Sequence, residues 1–307
     1  MTRPADGTGT GTATIGDPAV VDDLLRDWAA TGLTGSLLAR NLGTGAELGF
    51  DTERMWALAS VIKFPVALVI QHAFATGELD PAEPLEIDPA EATRGPTGVG
   101  LFRHPSRIAA EDLLQLSLAV SDNAAADALL DRLPEPGVTA RLESLGVSGI
   151  RQRHPMRAIY GRARDLDGVD PGLALAGRTP GGGNLIPELD PNRANAGSVR
   201  ALVDLLEAIW TDTVSTPEVC ARVREGLGHQ LTRHRLSVEL ASDAVAVASK
   251  TGTFLDLRHE VGVVTLDDGQ QIAVAALTRS AVPAREQLEA DFAIGHAARL
   301  AVDALRD

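Results

Sequence analysis

Three groups of residues in this 307-residue chain have the types and spacing for acyl transfer. In Ser60-Val61-Ile62-Lys63 a serine and a lysine stand three apart, which on a helix puts them on one face about one turn apart. A serine hydroxyl is a weak nucleophile until a base takes its proton, and lysine is such a base only when burial or nearby positive charge lowers its pKa. Phe64, Val66 and Ala67 supply apolar surroundings of that kind. A serine at a helix start also lies where backbone N–H groups can face a developing oxyanion. Alone, the same residues describe an N-cap serine and an exposed lysine equally well. Ser121-Asp122-Asn123 lies between two apolar stretches and in isolation reads as a capping cluster. Lys250-Thr251-Gly252 follows the apolar run AVAVAS and in isolation reads as a strand end with an exposed lysine.

The surrounding pattern must bring these groups together. Asp17 to Ala30 sets Val20, Val21, Leu24, Leu25 and Trp28 at helical spacing behind an Asp-Pro start. Leu33–Asn41 and Ala46–Phe50, separated by Gly43 and Gly45, read as a hairpin. Ser60 to Thr76 reads as a buried helix closed by Gly77, with Pro65 in its second turn. Residues 80–108, rich in Pro, Gly and acidic side chains, read mostly as loop; Ala110–Val120 and Asn123–Leu133 read as helices broken at Ser121-Asp122. Residues 146–198 show little periodicity, and a stretch so much longer than ordinary connections marks a functional loop or disorder. Val199–Trp210 is amphipathic; after a further helical stretch, Val245–Ser249, Glu260–Leu266 and Ile272–Thr278 read as strands and Gln287–Leu305 as a closing helix.

The expected fold class is therefore α/β plus α. Residues 17–55 and 211–307, from both chain ends, share one antiparallel sheet with flanking helices, and residues 56–210 form an inserted all-α region that includes the long loop 146–198. The low-complexity Gly/Thr/Ala run of residues 1–16 is expected to be a disordered tail.

Taken together, the three groups resemble the signature of the class A serine β-lactamase and penicillin-binding-protein superfamily: Ser-x-x-Lys at a helix start, Ser-Asp-Asn between helices about 60 residues later, and Lys-Thr-Gly on a strand near the C-terminus. The segment SDNAAADALL and the closing strand, turn, strand and helix agree with it, so the resemblance spans roughly residues 17–307. It implies that Ser60 is the acylated nucleophile, Lys63 its base and Ser121 a proton relay to the leaving group. Asn123 would hold the substrate's amide carbonyl and bond Lys63, while Lys250 and Thr251 would bind the substrate carboxylate and polarise Ser121. The backbone N–H groups of Ser60 and of Thr253, the residue after Gly252, would form the oxyanion hole. Asp122, between the two motif residues, is expected to organise the loop.

The chain also departs from that resemblance. Class A enzymes carry a glutamate in an omega loop, in a Glu-x-x-Leu-Asn motif roughly 36 residues after the Ser-Asp-Asn serine, where it activates the deacylating water. At that spacing stand Met156 and Arg157, in a basic stretch without glutamate. A second alignment uses Ile186-Pro187-Glu188-Leu189-Asp190 and puts Ile186 where the glutamate should be. Glu188, Asp190, Asp165 and Asp167 are the candidate substitutes, and the loop is some 20–25 residues longer than the family's, enough to reshape the pocket. Acylation can use Lys63 alone, so acyl-enzyme formation is expected and efficient penicillin hydrolysis is not.

Composition narrows the partners. A formal charge of −14 with 44% hydrophobic residues describes an acidic surface over a well-supplied core, and disfavours binding to nucleic acid or anionic lipid. Cys220, the only cysteine, excludes an intrachain disulfide and cysteine-based metal clusters. No apolar run approaches the ~18–20 residues that cross a bilayer, and the start has no apolar h-region, so a cytoplasmic location is expected.

Other signals read as background. His229 and His234 are five apart rather than four, Gly181–Gly183 reads as a flexible loop, and Gly146-Val147-Ser148-Gly149 lacks the last glycine of a nucleophile elbow. Arg233 and Arg235 read as surface residues, Arg258 as a candidate for the substrate carboxylate, and Trp56 as core. The expectation is an intracellular serine hydrolase, without metal or cofactor, that cleaves an amide, β-lactam or ester of a small molecule through acyl-Ser60. The alternatives are a biosynthetic transacylase, or a β-lactam or peptide sensor that stays acylated.

Overall fold

Asp17 opens the first helix, α1 (Pro18–Ala30), by accepting the Ala19 N–H on its side chain at 2.9 Å, with Pro18 at a position that needs no donor. Val21, Leu24 and Trp28 fall on one face and are buried, at roughly 1.5–3 kcal/mol each. Trp28 donates its indole N–H to the Ala293 carbonyl and so joins α1 to the last helix, α8 (Leu288–Leu305). In this computed structural model the described residues are 14–159, 175–179, 183–242, 244–282 and 287–306. The expected tail therefore lies outside them as far as residue 13, as do Asp165, Asp167 and the Gly181-Gly182 pair.

The central sheet is antiparallel and takes its strands from both ends of the chain: β1 (Thr14–Ile15), β2 (Leu33–Asn41), β3 (Glu47–Phe50), β9 (Ala246–Phe254), β10 (Leu257–Thr265) and β11 (Gln271–Ser280). Their spatial order is β1-β3-β2-β11-β10-β9, which leaves β9 as an edge. One face packs on α1 and α8 through Leu37, Val274, Ile294 and Ala298. The other packs on the helical region through Leu38, Val263, Ala275 and Leu202. This is the mixed sheet-and-helix architecture the sequence led us to expect.

The helical region comprises α2 (Lys63–Ala75), α3 (Ala110–Ala119), α4 (Asn123–Arg132), α5 (Val138–Ser144), α6 (Val199–Trp210) and α7 (Pro217–Gly228). Two differences from expectation matter. Residues 80–108 contain a short hairpin, β5 (Pro84–Ile87) with β6 (Ser106–Ala109), whose four-residue alternation is too brief to stand out among prolines and glycines. The strand expected to stop at Ser249 runs on to Phe254, so Lys250-Thr251-Gly252 lies within β9. Three short strands, β4 (Trp56–Ala57), β8 (Ala196–Gly197) and β7 (Ile150–Arg151), form a second sheet that ties the base of the long loop to the chain just before Ser60. Among the described residues no helix is long and apolar enough to cross a membrane.

Candidate active site

Ser60 sits in a one-turn 3-10 helix, Ala59–Ile62, that runs directly into α2. Ala59 enters it with a left-handed backbone (φ 46°), a conformation that costs a non-glycine residue about 1–3 kcal/mol and must be held by its surroundings. The hold is visible on the preceding residues. The Leu58 N–H donates to Asn195 O at 2.8 Å, and His259 Nε2–H donates to Ala57 O at 2.9 Å while its Nδ1 accepts the Thr278 N–H. Burial pushes His259 down to about 3, so the ring is neutral and this tautomer is fixed. Because the 3-10 turn comes first, Pro65 falls in the first turn of α2 rather than the second, where its missing N–H is no loss.

Lys63 is buried and lies at the meeting point of the first two motifs. Its Nζ donates to Ser121 O and to Asn123 Oδ1, each at 2.6 Å, and lies 3.5 Å from Ser60 Oγ and 3.2 Å from Ser121 Oγ. Burial, and then the nearby positive charge of Lys250, hold its pKa well below the usual lysine value. A neutral amine has two N–H groups and one lone pair; here the two carbonyls take the N–H groups and the lone pair is left for a hydroxyl proton. Asn123 in turn donates to Arg94 O at 3.3 Å, so its amide is oriented by both neighbours. Asp122 has the structural role expected of it: it is fully buried, caps α4 through the Ala125 N–H at 3.1 Å, and accepts the Val99 N–H at 2.7 Å.

The third motif approaches from the edge strand. A Cβ on Gly252 would lie 2.8 Å from Leu58 O and 3.0 Å from Val61 N, so only glycine lets β9 lie this close to the nucleophile turn. The Thr251 N–H points off the sheet edge, to Gln230 Oε1 at 2.6 Å, and the two-residue period of a strand points the Thr253 N–H the same way. That direction suits the oxyanion-hole role the resemblance implies. Lys250 is buried and donates to Thr251 O at 3.0 Å; burial pushes it down to about 7, with Glu260 opposing the shift and Arg235 adding to it. The chain contains two lysines, Lys63 and Lys250, and both are in this site, while every other strong base is arginine. A guanidinium cannot lose its proton at working pH, so these are the two places where lysine cannot be exchanged for it.

Of the three arginines near the last motif, Arg233 is a surface residue as read, and Arg235 and Arg258 are not. Arg233 is exposed and donates to Gly228 O. Arg235 is buried and donates to Asp291 Oδ1 at 2.7 Å, His259 O at 2.8 Å and Thr253 Oγ1 at 2.8 Å. Arg258 was a candidate for the substrate carboxylate, but its side chain is fully buried with Nε 3.8 Å from Asp291 on α8. Side-chain alternation is the reason: His259 reaches the nucleophile turn, so Arg258, one residue earlier, points to the opposite face of the sheet. Sequence proximity to Lys-Thr-Gly could not distinguish the two. His229 and His234 also diverge, toward Gln115 and Asp291 respectively. Trp56 is core as expected, donating to Ser36 Oγ with Arg54 stacked 4.4 Å over its ring.

The long loop is anchored at both of its described ends. Asn195 accepts the Arg153 and His154 N–H groups and donates to His154 O, and Asp127 accepts the Met156 and Arg157 N–H groups. Further along, Arg178 donates to Asp256 Oδ2 at 2.8 Å in the turn after β9, and Arg279 donates to Leu189 O at 2.6 Å. Residues 175–179 and 183–190 thus lie along the sheet end nearest the site. Of the candidate substitutes for the missing glutamate, Asp190 accepts from Asn192 in a local turn, and Glu188 is buried in the 3-10 turn Pro187–Leu189. Among the described residues, the hydrogen-bond partners of Lys63 are Ser60, Ser121 and Asn123, and the carboxylates that act on it through space are Asp122 and Asp127.

Residues 19–305 match the profile of the Beta-lactamase enzyme family. The chain belongs to that family. Among curated proteins it is 44% identical over 293 residues to the β-lactamase regulatory protein BlaB of Streptomyces cacaoi, covering 90% of this chain and 94% of that one. Among solved structures it shares the fold of a β-lactamase from Sphaerobacter thermophilus (TM-score 0.75, 22% identity, 95% of this chain and 100% of that one). It shares it also with PBP-A (TM-score 0.72, 20% identity, 92% and 95%), and with a PBP-A mutant in acyl-enzyme complex with penicillin G (TM-score 0.73, 20% identity, 93% and 96%). The fold thus brings Ser60, Lys63, Ser121, Asn123 and Lys250 together, with Arg258 on the opposite face of the sheet. Gln230, Glu260, Arg235 and His259 join them from positions that carry no motif. The available hint was the polar run Arg258-His259-Glu260 at the start of a mostly apolar strand.

Proposed function

We propose that this protein is acylated on Ser60 by β-lactams or related carboxylate-bearing amides and retains the acyl group, acting as a sensor rather than as an efficient β-lactamase. One observation carries the reading: Lys63 is equipped as a base for Ser60, yet among the described residues its hydrogen bonds go to Ser60, Ser121 and Asn123 and to no carboxylate. In the forward step, Ser60 Oγ bonds the carbonyl carbon as its proton passes to Lys63 Nζ. The proton then reaches the leaving nitrogen through Ser121 Oγ, 3.2 Å from Nζ, and the C–N bond breaks. Lys250 offers a cation to the substrate carboxylate, and the N–H groups of Ser60 and Thr253 face the oxyanion. The regulatory description of the Streptomyces cacaoi relative and the penicillin acyl-enzyme of the PBP-A mutant are consistent with this reading.

A second reading follows from the same relay. A path that delivers a proton to a leaving amine can take one from an incoming amine, which favours transfer of the acyl group to an amine over hydrolysis. Intact-protein mass spectrometry after adding a chromogenic cephalosporin or a p-nitrophenyl ester, with Ser60→Ala as control, tests both. A persistent adduct absent from Ser60→Ala supports the sensor. Discharge only on adding an amine supports transfer, and rapid discharge in buffer alone overturns retention. No adduct with either probe overturns the acylation reading.

A further inference from the structure

Glu260 is a fully buried carboxylate that the proton path above does not use. Its Oε1 accepts from Ser249 Oγ at 2.6 Å and from Gln230 Nε2 at 3.1 Å, and its Oε2 accepts the Leu236 N–H at 2.8 Å. Burial pushes its pKa up, and the three donors that converge on it oppose that shift by favouring the carboxylate, which can only accept. Gln230, also buried, turns its other end to β9, where Oε1 accepts both the Thr251 N–H at 2.6 Å and the Thr251 hydroxyl at 3.0 Å. The backbone N–H fixes which end of the amide is oxygen. Ser249 and Thr251 flank Lys250, so this network grips the strand on both sides of that lysine.

The grip has a consequence for the ligand. With its proton given to Gln230, the Thr251 hydroxyl has only lone pairs to offer. Thr253, two residues on and exposed, accepts from Arg235 Nη2 at 2.8 Å and keeps its own proton for a ligand. We propose that Glu260, acting through Gln230 and Ser249, is a positioning residue that holds Lys250 in place and turns the Thr251 hydroxyl away from the substrate, leaving Thr253 as the hydroxyl donor. This deepens, and rests on, the acylation reading. The charged and titratable groups around Lys250 are Lys63 on α2, Glu260 and neutral His259 on β10, and Arg235 from the segment after α7. Of these, Glu260 is the one that favours a protonated Lys250.

Because the chain has two lysines, protein labelled with [13C]lysine gives two side-chain titrations, separable with a Lys250→Met variant. We expect Glu260→Gln to lower the Lys250 midpoint by about one unit and to slow acylation by a carboxylate-bearing cephalosporin about tenfold. The double variant Gln230→Glu/Glu260→Gln restores the negative charge and the acceptor for Thr251, and should recover both values. A folded Glu260→Gln protein with midpoint and rate unchanged overturns the proposal. So does a folded double variant that remains impaired, which also decides the matter should the single variant fail to fold. If wild type is not acylated by any probe, the acylation reading falls while the lysine titrations still judge the role of Glu260.

Discussion

The backbone carbonyl of Ser121 lies 2.6 Å from Lys63 Nζ, held there by a serine whose backbone is in the left-handed region (φ 58°). With Asn123 Oδ1 at the same distance, two acceptors from one turn orient the amine of a lysine 58 residues earlier. Asp122 between them braces the turn by capping α4 and taking the Val99 N–H. Each residue of Ser-Asp-Asn therefore acts on Lys63 or on the loop that presents it, which is why the three must be contiguous.

Lys63→Arg keeps much of the length but holds a proton it cannot give up, so it separates base from cation. We expect acylation of Ser60 to fall by about a thousandfold, within the range general-base loss produces, with the fold retained. Stopped-flow acylation kinetics and circular dichroism check this. A variant within about tenfold of wild type would remove Lys63 from the role of base.

Lys63 and Lys250 also set the pH behaviour. Acylation of a carboxylate-bearing β-lactam needs Lys63 neutral and Lys250 charged, so its second-order rate constant should fall at high pH as Lys250, at about 7, loses its proton, and at low pH as Lys63 gains one. Stability follows the same titrations. Lys63 has a folded pKa below its unfolded value, so between those two values the unfolded chain binds more protons and stability rises with pH. Urea unfolding from about pH 8 to 10 should show that rise, to which Lys250 contributes in the same direction, and Lys63→Met should cut its slope by about half. A slope unchanged in Lys63→Met would mean that Lys63 is charged in the folded protein.

The chain wrote its chemistry into local patterns wherever contiguous residues perform it. Ser60 with Lys63, Ser121 with Asn123, and Lys250 with Gly252 are each set by one helical turn, one loop or one strand, and those were legible. Scaffold elements were legible too: α6 spans the same residues, Val199–Trp210, that periodicity selects. What adjacency does not encode is which face of a strand a residue takes once its register is fixed. Arg258 and His259 are neighbours on opposite faces, and nothing in the sequence says that His259 is the one that reaches Ala57. Gln230, Arg235 and Asp291 reach β9 and β10 across the tertiary structure, and an exposed Arg and a buried one look alike until the fold encloses them.

Gly252 can be tested where it touches the nucleophile turn. In Gly252→Ala the new Cβ would meet Leu58 O at 2.8 Å and Val61 N at 3.0 Å, both backbone atoms that no rotamer change can move. Either β9 or the Ser60 turn must shift, which separates Ser60 from the Thr253 N–H. A displacement of this kind costs about a hundredfold in rate. Mass-spectrometric labelling rates would show it; labelling at the wild-type rate would mean that the two N–H groups need not be held so closely.

Deacylation is the step for which the described residues of the site provide least. Glu188 is buried in the Pro187–Leu189 turn, whose Leu189 carbonyl is held by Arg279, and Lys63 takes its hydrogen bonds elsewhere. Glu188→Gln should therefore leave the lifetime of the acyl-Ser60 adduct within about twofold of wild type, because a general base would contribute about a hundredfold or more. Ile186→Glu, which places a carboxylate where the family alignment has one, should shorten that lifetime by about tenfold or more. Time-resolved intact mass measures both lifetimes. A long-lived adduct in wild type that becomes longer still in Glu188→Gln would identify Glu188 as the water-activating group, and the protein as a slow hydrolase rather than a sensor.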